Sequence, residues 1–419
     1  MSPRWYVVFM LFIAGAINYI DRAALSIIAP IVSKDLSLSP SELGIVFSAF
    51  FVGYSIFCFI GGYFSDRIGP KRVFIIAVSV WSAFCALTGA VAGYASLLVV
   101  RVIFGFGEGP FASSGSKMVN NWFGVTERGR AVGIVNAGNP IGGAIAGPLV
   151  GFLALTTSWR WTFVLIGALG IMWVLVWAFT VSDKPKNEVK NEAKAEPASP
   201  APKPVAASSD QNSISFYIRQ PIILLTAFAF FGWNYILYFF LSWFPSYLTT
   251  AKGLSIQSMS VVTIIPWLVG FVGLASGGFF VDWVVIRSGN PLQARKFILI
   301  GGLLIAAICV GIGGVVDSAA SAVTLMACAV FCLYLTAPAY WTIIQDVVPS
   351  PKVGGVTGFV HFLANTSGIF GPSIAGFIVQ YGGGFKGAFL LAGAIGVVGS
   401  LAVGLFGRAP KVAPAQAAA

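Results

Sequence analysis

WYVVFMLFIAGAINYIDRAALSIIAPI, residues 5–31, holds only two charged side chains, Asp21 and Arg22. A helix needs about 20 apolar residues to cross the ~30 Å hydrocarbon core of a bilayer, and this stretch exceeds that length. Only one basic residue, Arg4, precedes it, and no small-residue cleavage site follows, so it reads as a first membrane span rather than a removable leader. The pattern recurs along the chain. Further apolar windows at 43–64, 73–94, 96–118, 131–155, 161–181, 220–249, 256–283, 297–316, 319–346, 353–380 and 385–407 predict twelve spans in all. The 419 residues are 57% hydrophobic and 9% charged, against roughly 25% charged residues in an ordinary soluble domain, so a water-compatible globule is excluded. The 49 glycines scattered inside the spans suit closely packed membrane helices.

Polar segments between the spans set the organisation. Residues 183–214, rich in Lys, Glu, Pro, Ala and Ser, carry no periodic apolar pattern and read as a flexible linker between six-helix halves at 1–182 and 215–408, with a disordered tail at 409–419. With the N-terminus in the cytoplasm, 19 of the 25 basic residues fall on inside segments and only Lys34, Arg160, Lys252 and Lys386 fall outside. This asymmetry predicts that both termini and the linker are cytoplasmic. It also accounts for the net charge of +11 without nucleic acid as a partner. Cys58, Cys85, Cys309, Cys328 and Cys332 all lie in apolar runs without ligand-like spacing, which predicts packed thiols and no metal site.

The halves echo one another. Gly62-Tyr-Phe-Ser-Asp66-Arg67-Ile-Gly69-Pro-Lys71-Arg72 follows the second span, and Gly278-Phe-Phe-Val-Asp282 with Arg287, Arg295 and Lys296 follows the eighth. Gly143-Ala-Ile-Ala-Gly147-Pro148-Leu-Val-Gly151 in the fifth span corresponds to Gly368-Ile-Phe-Gly371-Pro372-Ser-Ile-Ala-Gly376 in the eleventh. Such duplication predicts an all-α integral membrane fold of two pseudo-symmetric bundles, with a substrate route between them.

The Gly62–Arg72 stretch resembles the loop signature of the major facilitator superfamily, with Pro70 in place of a usual basic residue. Asn18-Tyr19-Ile20-Asp21-Arg22 and Arg101-Val-Ile-Phe-Gly-Phe-Gly-Glu108-Gly-Pro resemble that superfamily's anion:cation symporter branch, which includes bacterial sugar-acid transporters. The resemblance covers the chain except the linker and tail. It implies a monomeric secondary transporter in a bacterial inner membrane that imports a small organic anion, such as a hexonate, hexarate or hexuronate. The proton gradient drives it, and no cofactor is needed.

An ionised side chain at mid-membrane costs at least ~2.5–3.5 kcal/mol, so Asp21, Arg22, Arg101 and Glu108 need either partners or work to do. Arg22 offers a planar fork for a carboxylate and is the leading substrate anchor, a role the resemblance implies as well. Arg101 and Glu108, seven apart, share a helix face. Burial disfavours an ionised carboxyl and a neighbouring guanidinium favours it, so Asp21 and Glu108 are the proton-coupling candidates. Protonating an acid frees Arg22 for the anion, and losing that proton lets the acid compete for Arg22 again. Tyr19, Tyr54, Asn139, Trp341 and Asn365 are the candidate groups for a hydroxyl-rich ligand, each equally readable as helix packing. His361 reads as an interhelical hydrogen-bonding group. Asp66, Arg67, Lys71 and Arg72 form a predicted conformational latch.

A drug or cation exporter, or an antiporter, is the alternative. It draws on Gly143–Gly151, which resembles the superfamily's antiporter motif with Phe152 at a usual glycine position. Two buried arginines oppose a cationic cargo. No GxxxxGK[ST] or HExxH stretch occurs, so the chain is not expected to be an enzyme or an ATP-driven pump.

Overall fold

The computed structural model describes residues 2–185 and 214–406, so most of the predicted linker and all of the predicted tail lie outside the described residues. Among the described residues, twelve helices are long and apolar enough to cross a membrane. They are α1 (Pro3–Ile27), α2 (Pro40–Ile68), α3 (Pro70–Thr88), α4 (Tyr94–Trp122), α5 (Val125–Thr156) and α6 (Trp159–Thr180) in the first half. The second half holds α7 (Pro221–Ser246), α8 (Ile256–Ser288), α9 (Pro291–Gly313), α10 (Ala319–Val347), α11 (Ser350–Tyr381) and α12 (Gly384–Phe406). Each falls on one predicted span. Boundaries move by a few residues because Pro40, Pro70, Pro221 and Pro291 begin helices in polar sequence, where a proline's missing N–H costs nothing.

Bulky apolar side chains cover the outside. Phe179 is 86% exposed and Phe279 82%, which only lipid tolerates at this density. Prolines bend several spans where bilayer-buried helices can re-satisfy the freed carbonyls. Gly109 and Pro110 kink α4 just after Glu108, and Pro245 precedes a π-turn, Tyr247–Ala251, at the end of α7. There Thr249 and Thr250 donate to the carbonyls of Pro245 and Ser246, supplying partners that the helix ladder loses.

The packing repeats across the halves. α1 lies on α5, α2 on α4 and α3 on α6; likewise α7 lies on α11, α8 on α10 and α9 on α12. These are two six-helix bundles of one plan. They join through α2 on α11 and α5 on α8, themselves corresponding pairs. The duplicated glycine stretches make both junctions. A Cβ added at Gly44 would sit 2.6 Å from the Pro372 carbonyl oxygen, and one at Gly376 2.5 Å from that of Pro40. On the other seam a Cβ at Gly147 would sit 2.3 Å from the Ser260 carbonyl oxygen. Ser373 Oγ donates to Ser48 Oγ at 2.8 Å, and Ser41 N–H donates to Gln380 Oε1 at 3.0 Å. All of these contacts lie toward the α1–α2, α7–α8 and α11–α12 connections, the face predicted to be external.

Candidate substrate and proton site

Two glycines decide how α2 and α4 meet. A Cβ at Gly53 would lie 2.0 Å from the Val102 carbonyl oxygen, and one at Gly105 2.1 Å from that of Phe50. Only bare backbone permits such an approach, and it sets Phe50 and Tyr54 beside Arg101 and Glu108. The Gly105–Gly109 run therefore serves helix packing.

α1 brings Arg22 into this seam. Its Nε and Nη2 donate to the same carboxylate oxygen, Glu108 Oε2, at 3.0 and 2.6 Å. Glu108 is 0% exposed and Arg22 7%. Aromatic rings enclose the guanidinium, with Tyr19, Phe50 and Tyr54 centroids 5.3, 4.8 and 4.7 Å from Arg22 Cζ. Arg101 stands over the same Phe50 at 5.1 Å and over Phe104 at 4.9 Å, and its Nε has no hydrogen-bond partner. Arg22 and Arg101 line one small cavity together with Ser26, Phe47, Phe51 and Ser242. Arg22 is thus paired with Glu108 while Arg101 beside it has no carboxylate partner, an arrangement chemically able to receive an anion.

Asp21 lies elsewhere. Consecutive helical residues splay by about 100°, and Asp21 turns into the first bundle toward Trp81 and Cys85 of α3. It is 1% exposed, and neither carboxyl oxygen has a hydrogen-bond partner. Asp21 therefore does not share the cavity lined by Arg22 and Arg101. Glu108 bridges the two, since Asp21 and Arg22 both lie within its electrostatic reach.

The second bundle closes the cavity with aromatic and polar groups. Tyr238 packs 4.2 Å from Phe51 and its hydroxyl donates to Asn365 Oδ1 at 2.5 Å; Asn365 Nδ2 in turn donates to the His361 carbonyl at 2.8 Å. Tyr19 meets Trp267 edge-on at 5.7 Å, and its hydroxyl faces Tyr334. Asn139 sits on α5 against Gly15 of α1, its Oδ1 buried without a partner. Trp341 is two turns along α10 from Tyr334, against Phe230 at 5.0 Å and His361 at 5.7 Å. The structure thus gathers Tyr19, Tyr54 and Glu108 around Arg22, which lines the cavity with Arg101, sets Asn365 behind Tyr238, and leaves Asp21, Asn139 and Trp341 beside it. His361 is held among aromatic rings, Phe230 and Trp341.

Sequence reading missed Tyr238, Tyr334 and Ser242. α7 reads PIILLTAFAFFGWNYILYFFLSWFPS, in which one tyrosine is indistinguishable from its packing neighbours. Tyr334 had a signal, because it stands seven residues before Trp341 and shares its face.

Three of the four predicted latch residues have separate partners, and none of these reaches the second bundle. Asp66 pairs with Lys117 at 2.7 Å, and Arg67 lies over Tyr63 at 4.5 Å. Lys71 offers its backbone N–H to Asp183 Oδ1 at 2.7 Å, while the Arg72 side chain is exposed. Asp183, expected as the first linker residue, is a packed cap on α3. Among the described residues no cluster of metal-ligating side chains occurs, and all five cysteines are free thiols.

The family model of the Major Facilitator Superfamily matches residues 11–372. The chain is similar to the hexuronate transporter of Bacillus subtilis (strain 168), 49% identical over 96% of this chain and 94% of that one. It is 32% identical to a probable galactarate/D-glucarate transporter of Escherichia coli (strain K12), over 94% of this chain and 90% of that one. Among solved structures, a bacterial homolog of the human lysosomal transporter Spinster in an inward-facing, unoccupied conformation superposes with TM-score 0.78 at 18% identity, covering 99% and 100% of the two chains. A D-xylose-proton symporter gives TM-score 0.77 at 17% identity over 97% and 98%. At these identities the likeness is one of fold. The family match, together with relatives covered nearly end to end, makes the chain a multi-pass transporter, not an enzyme, that belongs to the Major Facilitator Superfamily.

Proposed function

We propose that this protein imports a hexuronate, or a closely related sugar acid, together with protons by alternating access across a bacterial inner membrane, with both termini in the cytoplasm. The observation that carries the reading is the buried Arg22–Glu108 pair beside an unpaired Arg101. A substrate carboxylate and the Glu108 carboxylate want the same guanidinium. Protonation of Glu108 releases Arg22 to the anion, and deprotonation returns Arg22 to Glu108 and expels it. Asp21, next to Arg22 in the chain and within the electrostatic reach of Glu108, is the second proton carrier. The aromatic and amide walls suit the C–H face and hydroxyls of a sugar, and 49% identity to a hexuronate transporter favours that substrate. No separate cofactor is involved, since the proton gradient supplies the work.

In the exporter reading, Gly143–Gly151 would act as an antiporter motif. Here that stretch is the surface on which α8 packs, with Gly143 under Trp267 and Gly147 and Gly151 under Ser260, which suits either direction of transport. The buried arginines disfavour a cation. Proteoliposomes loaded at high internal pH and diluted into low external pH should accumulate labelled D-glucuronate, and collapse of the pH gradient should reduce this to equilibration. Uptake indifferent to the gradient removes proton symport. Uptake of cationic drugs instead of the sugar acid removes the substrate class.

A further inference from the structure

We propose that Tyr334 determines specificity: with Tyr19, its hydroxyl binds the hydroxyl-bearing end of the sugar acid whose carboxylate Arg22 holds. This rests on the transport reading above and adds to it the residue that tells a sugar acid from a plain carboxylate. Tyr334 is 6% exposed, and its hydroxyl, which faces that of Tyr19, makes no hydrogen bond of good geometry. A buried hydroxyl left unpaired costs roughly 1–3 kcal/mol, so its retention asks for a reason. Nearby tyrosines differ. Tyr238 donates to Asn365 and Tyr247 to the Gly313 carbonyl, so their hydroxyls are satisfied within the protein. Tyr235 and Tyr340 also lack partners, but they pack against Phe231 and Phe230, away from the arginine. Of the unpartnered tyrosines, Tyr334 faces Tyr19 and lies within electrostatic reach of Arg22.

The ring is held in place. Trp233 meets it edge-on at 6.0 Å and donates its own Nε1 to the neighbouring Leu333 carbonyl at 2.6 Å. Gly270 of α8 passes so closely that a Cβ there would lie 2.9 Å from Tyr334 Cδ2. A hydroxyl on a fixed ring discriminates well, because a ligand lacking the matching group leaves the protein's own polar atom unpaired. Tyr334 and Arg22 belong to different bundles. A ligand long enough to reach both therefore ties its recognition to the approach of the bundles, which a bare carboxylate on Arg22 does not.

The test uses purified full-length protein, D-glucuronate, and tetrahydropyran-2-carboxylate, a ring carboxylate of equal charge without hydroxyls. Tyr334→Phe should weaken D-glucuronate binding by tenfold or more and leave tetrahydropyran-2-carboxylate unchanged. The ligand-free variant should unfold near or above the parent's temperature, since the lost hydroxyl makes no well-formed hydrogen bond. Equal losses for both ligands, unchanged D-glucuronate affinity, or a fall in ligand-free stability would each overturn the assignment. A parent protein that fails to bind D-glucuronate at all refutes the transport reading and this inference with it. Arg22-dependent binding that Tyr334→Phe leaves intact refutes this inference alone.

Discussion

Arg22 spends both of its contacts to Glu108 on a single oxygen, Oε2, leaving Oε1 buried and without a partner. A permanent structural pair would be expected to engage both carboxylate oxygens with the arginine fork. A pair held by one oxygen, in a site where a second guanidinium is unpaired, is poised for exchange.

Arg22→Lys tests the anchor. A lysine keeps the charge but loses the fork and the stacking between Tyr19, Phe50 and Tyr54. Loss of one charge-assisted hydrogen bond is worth about 1.5–3 kcal/mol, so D-glucuronate affinity should fall by roughly 10- to 100-fold. Calorimetric titration of the purified variant measures this. An affinity within threefold of the parent would remove Arg22 from the substrate site.

Competition for Arg22 fixes the direction of the pH effect. If the anion binds only when Glu108 has taken up a proton, lowering the pH favours binding, and the dissociation constant should fall by up to about tenfold per pH unit. It should level off once Glu108 is protonated in the free protein. Glu108→Gln mimics the protonated acid, so its affinity should be high and flat with pH. This variant should still exchange labelled for unlabelled substrate while losing accumulation driven by a pH gradient. A parent-like pH slope in Glu108→Gln would place the coupling proton elsewhere, Asp21 being the next candidate.

The twelve spans were legible because bilayer thickness imposes a length on apolar sequence, and the internal echoes at Gly62/Gly278 and Gly143/Gly368 made the two-bundle plan legible as well. The charged site was visible for a similar reason: Arg22, Arg101 and Glu108 stand out against apolar surroundings. Direction along the helix surface was less so. Spacing places Asp21 about 100° from Arg22, but only the packing of α3 on α4, which sets Trp81 and Cys85 opposite it, shows that this turns Asp21 away from the cavity. Residues whose type matches their surroundings were hidden. Tyr238 and Tyr334 lie among many aromatics, and their role depends on which bundle faces them. Asp183 has the composition of a linker and becomes structural only through the backbone it caps.

That cap supports a prediction on stability. Gly69 has φ +86, a region that favours glycine, and a Cβ there would lie 2.7 Å from Asp183 Oδ2. The Asp183 carboxylate receives the Lys71 N–H at the start of α3, where the helix dipole also favours negative charge. Asp183→Ala should cost about 1 kcal/mol and lower the thermal midpoint, with Asp183→Asn retaining part of the cap. Gly69→Ala should cost more, combining backbone strain with displacement of Asp183. Midpoints measured in one detergent, without substrate, decide this; an unchanged Asp183→Ala midpoint would show the contact to be dispensable.

Ser48 and Ser373 meet across the seam between α2 and α11, Oγ to Oγ at 2.8 Å, with the Ser373 N–H also donating to Ser48 at 3.0 Å. Around them Gly44 and Gly376 let backbone approach backbone, so the face predicted to be external is shut. If import requires this seam to part, locking it should stop transport without disturbing either bundle. Hydroxyl oxygens at that separation lie near the geometry of a disulfide, whose Cβ atoms stand about 3.8 Å apart. Ser48→Cys with Ser373→Cys, in a background lacking the five native cysteines, should therefore cross-link under mild oxidation and lose uptake, and a reductant should restore it. The single variants should transport under both conditions. A cross-linked protein that still accumulates substrate would show that α2 and α11 move together during transport, and the opening would then have to be sought on the α5–α8 seam.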